Sequence, residues 1–331
     1  MVNKIKNILI SPFIFLSKWR SLPPFEMFSY IFMYASIPML AYGIQYYNFN
    51  ILSVVIFTIL SLYSGYFAAL IWNDITDADI DKIAHPDRPI PSNRISSKKF
   101  FRIALFFSFL TFLFSFIVNF WCFVLVIISA FFVAVHNKYL KKIVKFPAYS
   151  EIFTPIQWII VVLFGYVAIW TTNPYQNTYI IQMPIFENIS TSLSELQNLI
   201  ILILFTYFAD NAHDLPEGIH DYKGDLKSGV KTYANSFGKK NAARISFIMF
   251  FISGIFGIIL YLNTILSYVF LIPFLLIWSY TLIYSFNLLK IKEDEMEKFG
   301  EIIGRKGFNY FLISFDLIFI DILIQLIIFY I

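Results

Sequence analysis

The chain has 331 residues, of which 59% are hydrophobic, 20% aromatic and only 14% charged, with a formal net charge of +4. Soluble domains average about 45 to 50% apolar and about 25% charged residues, so the composition excludes an ordinary soluble protein and indicates a chain embedded in lipid. We expect the basic loops to face anionic headgroups or an anionic substrate, and we expect no binding to nucleic acid. The single cysteine, Cys122, excludes an intramolecular disulfide and a cysteine-based metal site.

The first 25 residues contain a basic start and an apolar middle, as a signal peptide does. No small-residue cleavage site follows, and Lys18 and Arg20 close the stretch MVNKIKNILISPFIFLSKWR. Because a cleaved leader requires such a site, we predict an interfacial helix at the N-terminus.

The predicted fold is an all-α membrane bundle of about nine transmembrane helices, forming one domain over residues 1–331. A helix needs about 20 apolar residues to cross the hydrocarbon core. Suitable runs lie near residues 28–47, 51–72, 100–119, 121–136, 152–171, 196–213, 245–263, 267–288 and 308–331.

The lysines and arginines support this count, because basic residues collect in cytoplasmic loops. With nine spans, all 25 fall on one side, in segments 4–20, 82–102, 138–145, 223–244 and 290–306. The opposite connections, including 172–195, contain none. We therefore predict a multi-pass plasma-membrane protein whose N-terminus is cytoplasmic and whose C-terminus lies outside.

Four oxygen-bearing side chains follow the second predicted span. Asn73, Asp77 and Asp81 recur every four residues, and Asp74 lies three residues before Asp77. On a helix these spacings share one face. Like charges on one face repel, and the penalty grows beside lipid, so a positive ligand is expected there.

A second acidic cluster follows the sixth predicted span. We expect Pro216 and Gly218 to break or kink this helix. The prediction of a shared face therefore rests mainly on its last two acids, Asp221 and Asp225. Because both clusters end spans on the cytoplasmic side, they can face each other across the bundle interior. The members of the second cluster, at steps of four, three, four and four, are Asp210, Asp214, Glu217, Asp221 and Asp225.

Hard oxygen ligands of this kind suit magnesium, which binds through carboxylates together with substrate phosphates. Each feature also has a simpler explanation, since an acidic run at a helix end is often a solvated face and basic residues often anchor a helix at the membrane surface. The basic residues that could complete an anion site are Arg88, Arg94, Lys141, Lys227 and Lys231.

At these residues the sequence resembles the UbiA superfamily of intramembrane prenyltransferases. The family's first signature, NDxxDxxxD, is matched from Asn73 to Asp81, and RPIPSNRIS at 88–96 resembles its continuation. The second signature, DxxxD before a GxKT-like turn, is matched by Asp221 and Asp225 with SGVKT at 228–232. The positions after the second and sixth spans and the helix count extend the resemblance over nearly the whole chain.

The resemblance implies a bundle with a central cavity that opens toward the membrane under cytoplasmic loops. It assigns Lys141, within VHNKYLKK, to the pyrophosphate, and it places His136 where the family usually has tyrosine. That tyrosine's role therefore does not carry over. The implied magnesium-pyrophosphate ligands are Asn73, Asp77, Asp221 and Asp225, with Asp74 and Asp81 supporting them.

The implied reaction is magnesium-dependent transfer of a prenyl group from a polyprenyl diphosphate to an aromatic or lipid-like alcohol acceptor. An allylic carbocation would form as pyrophosphate leaves, helped by electrostatic stabilisation in a water-poor site. Candidates for the base that removes the acceptor's proton are His136, Asp74 and Asp214. The first motif looks more like members making archaeal ether-lipid precursors or chlorophyll-type products than like the quinone branch.

Other interpretations stay open at this point. A membrane terpene cyclase would ionise the same donor and quench the cation intramolecularly. A cation transporter would place carboxylates along a pathway near the midplane, whereas a structural scaffold would tolerate their neutralisation. Asp316 and Asp321 in the last span are functional candidates because acids inside the membrane are costly, with structural pairing as the alternative.

Overall fold

A computed structural model gives the fold of the chain. It describes residues 23–43, 49–84, 86–140, 143–171, 179–181 and 188–330. Two predictions lie outside this described part of the chain: the interfacial helix near the N-terminus, of which residues 1–22 are not covered, and the assignment of Lys141.

The described residues form a bundle of long helices with one small hairpin. The hairpin pairs two antiparallel strands, with Tyr179 opposite Thr191 and Ile181 opposite Ile189. A short π-helical segment, His136–Leu140, continues the fifth helix. In chain order the elements are α1 Pro24–Tyr42, α2 Phe49–Thr76, α3 Ala78–Ala84, α4 Ser97–Val118, α5 Phe120–Val135, α6 Tyr149–Phe153, α7 Ile156–Trp170, β1 Tyr179–Ile181, β2 Ile189–Thr191, α8 Leu193–His220, α9 Tyr222–Ser228, α10 Tyr233–Phe237, α11 Lys239–Asn263, α12 Tyr268–Lys290 and α13 Met296–Tyr330.

Among the described residues, eight helical segments are long and apolar enough to cross a membrane. The sequence predicts nine, and the difference is the first span. Helix α1 occupies that region and has 19 residues, but it is not one of the eight. It carries Glu26, Ser29 and Ser36, and most of its side chains are buried against protein. We therefore describe α1 as a central helix of the bundle, surrounded by neighbouring helices.

A single residue makes the tight turn between α4 and α5. The side-chain oxygen of Asn119 accepts a hydrogen bond from the backbone N–H of Cys122 at 2.7 Å, which caps α5. Its amide nitrogen donates to Thr171 Oγ1 at 2.9 Å and to the carbonyl of Val167 at 3.3 Å. Asn119 therefore ends one helix, starts the next and ties both to the end of α7.

Close helix contacts depend on glycines in the second half of the chain. A Cβ atom at Gly254 would lie 1.8 Å from the ring of Trp278, so α11 and α12 can approach only because that position lacks a side chain. In the same way, a Cβ at Gly307 would lie 2.4 Å from Phe250 and 2.8 Å from the Cβ of His213. Small residues at membrane helix contacts permit this close packing, and here they bring α13 against α8.

The two acids of the last span make contacts between helices. Asp321 accepts hydrogen bonds at 2.6 Å from both the backbone N–H and the hydroxyl of Ser267, just before α12. Gln325 donates a third bond to it at 2.9 Å. Asp316 accepts a bond from the hydroxyl of Ser29 on α1 at 2.7 Å. These contacts favour structural pairing over a functional role for both acids.

We predict that Asp321→Ala destabilises the bundle, because it leaves the partly buried donors at Ser267 without their acceptor, at a cost of about 1–3 kcal/mol. The measurement is thermal unfolding of the purified protein in detergent. Asp294→Ala, at an exposed position in the connection before α13, is the control and should leave the unfolding temperature unchanged. An Asp321→Ala variant as stable as the wild type would contradict the structural role.

Candidate active site

A cavity of about 1300 Å³ lies inside the bundle, lined by side chains from α1, α2, α4, α5, α7, α8 and α13. Charged and polar groups line it where the helices end, including Asn73, Arg88 and Glu217. Along α2 the lining then continues through Trp72, Leu70 and Tyr66 to Leu62. At 1.5 Å per residue, the eleven positions from Asn73 back to Leu62 cover about 16 Å, so the cavity has a polar end and an extended apolar part.

The first acidic cluster lies at the polar end, on α2 and the start of α3. Backbone hydrogen bonds from Asp77 to Asn73 and from Asp81 to Asp77, at 2.9 and 2.8 Å, keep these residues on one helical face across the bend at Asp77. Although they are acidic, Asp74, Asp77 and Asp81 are only 1%, 6% and 2% exposed. Asn73 lines the cavity itself.

Arg88 compensates part of this buried negative charge. Its Nη1 donates to both carboxylate oxygens of Asp81, at 2.7 and 2.8 Å, and lies 3.8 Å from Asp74. Arg94 lies beside it on the cavity wall, where it donates to the hydroxyl of Ser92 and to the carbonyl of Asp87. The two arginines that the sequence predicts as diphosphate-binding residues therefore both lie at the polar end of the cavity.

The second acidic cluster is divided between two places. Helix α8 continues through Pro216 to His220, so the predicted break at Pro216 and Gly218 does not occur. Asp210, Asp214 and Glu217 therefore stay on one continuous helix, and Glu217 reaches the cavity. Asn73 from the first cluster and Glu217 from the second therefore line the same cavity.

The other predicted residues of the second motif lie beyond the end of α8. Asp221 follows the last residue of the helix and is about half exposed, while Asp225 lies in the short helix α9. Lys227 and Lys231 are exposed. None of these four is among the described residues that line the cavity. Their assignment to metal and diphosphate stays a prediction.

His136 lies on the cavity wall at the start of the π-helical segment, together with Asn137 and Lys138. Its Nδ1 is 2.9 Å from the hydroxyl of Tyr149, so a tyrosine is present beside the histidine although it comes from another helix. Lys138 supplies a cation to the cavity wall, three sequence positions before Lys141, which is outside the described residues.

Several cavity residues were not identified from the sequence. His213 on α8 had a usable signal, because it lies three residues after Asp210 and therefore shares the face of the acids. Glu26 and Arg305 are single charges on the separate helices α1 and α13, and only the packing brings them to one cavity. Glu151 is buried near the cavity's polar end and accepts a hydrogen bond from the backbone N–H of Tyr233 at 2.8 Å.

The donor chemistry of the first cluster fits a hard divalent cation. Its side chains offer only oxygen, from one amide and three carboxylates, and the carboxylates are buried where unpaired charge is expensive. Arg88 supplies one positive charge against them. Oxygen ligands of this type are those that magnesium prefers, so Asn73 and Asp77, near the cavity's polar end, are suitable residues to hold it.

The fold and the site together define an all-α integral membrane protein with an internal polar site. The model of the UbiA prenyltransferase family matches residues 29–299, and the chain belongs to this family. The recognition made from the two acidic motifs is therefore confirmed.

The sequence relatives are synthases of one kind. A digeranylgeranylglyceryl phosphate synthase of Saccharolobus solfataricus is 27% identical over 177 residues, which cover 54% of this chain and 54% of the relative. The synthase of Methanococcoides burtonii is 26% identical over 212 residues, covering 64% of this chain and 66% of the relative. The matches thus span about half to two thirds of the length of these relatives.

The solved structures most relevant here are UbiA homologues from archaea. The apo structure from Aeropyrum pernix K1 superposes with a TM-score of 0.67 at 16% identity, covering 90% of this chain and 97% of that chain. A homologue from Archaeoglobus fulgidus bound to GPP and Mg²⁺ gives a TM-score of 0.54 at 15% identity, with 88% and 97% covered. At these identities the likeness shows the fold, and it confirms the predicted all-α membrane bundle.

We predict that Arg88→Ala destabilises the protein strongly, because buried Asp81 would lose the guanidinium that donates to both of its carboxylate oxygens. Removing one partner of a buried pair costs about 3–5 kcal/mol. Thermal unfolding in detergent measures the effect. Lys82→Ala is the matched control, since its ion pair with Asp79 is solvent-exposed, with side chains 62% and 94% exposed, and such pairs contribute little. Equal unfolding temperatures for the two variants would contradict this prediction.

Proposed function

We propose that the protein is a magnesium-dependent prenyltransferase that moves a prenyl group from a polyprenyl diphosphate to a lipid-like alcohol. The observation that carries this proposal is the cavity, which has acids and arginines at one end and an aromatic and aliphatic lining beyond them. Such a space suits a substrate with an anionic head and a long hydrocarbon chain. Membership in the UbiA prenyltransferase family supports the same reaction class.

The charged end would hold the diphosphate. Asn73 and Asp77 are the proposed magnesium ligands on the first helix end, with Asp221 and Asp225 from the second, and Asp74 and Asp81 in support. Magnesium would supply positive charge to the departing pyrophosphate. Arg88, Arg94 and Lys138 line the cavity there, and we propose that they contact the diphosphate oxygens, with Lys141, Lys227 and Lys231 contributing from the loops.

The aromatic lining would stabilise the positive charge that develops on the prenyl chain. Tyr66, Trp72, Trp158 and Phe308 all line the cavity, and each ring face can attract a cation by about 0.5–2 kcal/mol. As the bond between the allylic carbon and the diphosphate oxygen breaks, the acceptor oxygen would bond to that carbon. The acceptor's proton would pass to a base, and His136 is the predicted candidate that lines the cavity.

The acceptor is proposed from the relatives. They are named for a product that carries two geranylgeranyl groups on glyceryl phosphate, so a glyceryl phosphate ether is the acceptor that their name favours. An aromatic acceptor is the alternative. The predicted orientation, with the basic loops cytoplasmic in the plasma membrane, would let the diphosphate arrive from the cytoplasm while the chain stays in lipid.

Product analysis tests the reaction. Protein in native-like lipid is given labelled geranyl, farnesyl or geranylgeranyl diphosphate with magnesium, and then a geranylgeranylglyceryl phosphate, an aromatic acceptor or none. We expect a labelled ether with the glyceryl phosphate and loss of product when magnesium is chelated. A cyclised hydrocarbon in the acceptor-free sample would instead identify a terpene cyclase, and release of no pyrophosphate under any condition would exclude the enzyme function.

Asp77→Asn tests the proposed ligand set, because it removes a negative charge and keeps the side chain's shape. We expect magnesium-dependent pyrophosphate release to fall at least about 100-fold, the scale of losing one group that stabilises developing charge. Asp79→Asn is the matched control, two positions away and almost fully exposed, and should release pyrophosphate at the wild-type rate.

Asp221→Asn, made in parallel, tests the contribution of the second motif. A similar loss would indicate that the exposed end of α8 joins the site when substrate is bound. Full turnover in Asp77→Asn, with the protein folded, would remove the first cluster from the proposed site.

A further inference from the structure

A compact group of nitrogen and oxygen ligands lies on α8, two to three turns before Asp221. Asp210, His213 and Asp214 occupy positions i, i+3 and i+4, so their side chains share one helix face. One potential ligand atom from each residue lies within 4.8 Å of the other two. Three ligand atoms this close together can bind the same metal ion.

Carboxylates flank both ring nitrogens of His213. Its Nε2 lies 3.0 Å from Asp210 Oδ1. Its Nδ1 lies 3.5 Å from Asp214 Oδ1 and 3.7 Å from Glu217 Oε1. An ion bound by a ring nitrogen would therefore have carboxylate oxygens next to it.

Two atoms of the group are buried and lack a hydrogen-bond partner among the described residues. They are Asp210 Oδ2 and His213 Nδ1, on residues that are 1% and 5% exposed. Buried polar atoms are almost always satisfied by protein, water or an ion. Their presence within a cluster of potential metal ligands points to a cationic ligand.

The surroundings hold His213 in place. Its ring packs against Phe308 and Phe311, with centroids 5.0 and 6.2 Å away. Gly307 allows α13 to approach the Cβ of His213. His213 also lines the cavity, so an ion bound there would have one side facing the cavity, as in sites that combine three protein ligands with an open position.

We infer that Asp210, His213 and Asp214 form a binding site for a divalent transition-metal ion, separate from the proposed magnesium-diphosphate site. Imidazole nitrogen with carboxylate oxygen is a donor set that suits zinc or manganese, whereas magnesium is bound mainly through oxygen. Glu217 is the nearest additional carboxylate. This inference goes beyond the proposed transferase reaction and does not depend on it.

Cobalt titration tests the site, because Co²⁺ takes the place of zinc and its visible spectrum reports on its ligands. The untagged protein in detergent, treated with a chelator and then freed of it, is titrated with Co²⁺ in excess Mg²⁺. We expect one equivalent to bind with an absorption band typical of nitrogen and oxygen ligands. His213→Gln and Asp214→Asn should each weaken binding by at least about tenfold, the lower end of the effects seen at metal sites.

Two controls separate this site from others. His220→Gln removes a partly exposed histidine on the same helix, whose Nδ1 lies 3.1 Å from the carbonyl of Glu297, and should bind Co²⁺ like the wild type. Asp77→Asn should also keep the band, whatever it does to pyrophosphate release. The inference is overturned if the wild type binds no Co²⁺, if both site variants bind it unchanged, or if Asp77→Asn abolishes it. The Asp214 side chain is 18% exposed, against 6% for His213, so Asp214→Asn is the deciding variant if His213→Gln does not fold.

Discussion

Buried negative charge is the constraint on which the rest of this bundle depends. Asp74, Asp77 and Asp81 are almost fully enclosed, although each would be solvated at no cost on a protein surface. Arg88 offsets part of that charge through Asp81 and lies on the cavity wall at the same time. Oxygen ligands enclosed in this way suit a hard cation, and a cation held there would attract an anionic substrate.

The helices around this buried charge are mostly apolar. Glycines let the helices approach closely at several contacts, from Gly165 on α7 to Gly254 on α11 and Gly307 on α13. The cavity nevertheless stays open between helices of both halves. Electrostatic interactions gain strength in surroundings of low dielectric constant, so the cavity's apolar lining and its charged end act together.

The sequence predicted those features that depend on local spacing. The face shared by Asn73, Asp77 and Asp81 could be read directly, because it needs only helical geometry. Pro216 and Gly218 were expected to break or kink α8, yet the helix continues through them, since neighbouring helices and local adjustments can re-satisfy a backbone group that proline leaves free. Helix α1 covers the first of the nine predicted transmembrane spans, and most of its side chains are enclosed by protein. Hydropathy measures how apolar a segment is and cannot tell lipid from protein as its surroundings. Only the packed structure shows that Glu26 and Arg305 line the same cavity, because no local sequence pattern relates charged residues on the first and last helices.

The distribution of polarity along the cavity favours a substrate that is anchored at one end over an ion that passes through. A transport pathway needs polar groups continuing toward the midplane. Beyond Asn73, the α2 residues that line the cavity are mainly aliphatic or aromatic, and α7 contributes Ile160, Val161 and Phe164. The deeper acids Asp316 and Asp321 are engaged in contacts between helices. Beyond the charged end, the described cavity lining contains hydroxyl groups such as those of Tyr34 and Thr111 but no carboxylate, so it suits a prenyl chain better than a cation in passage.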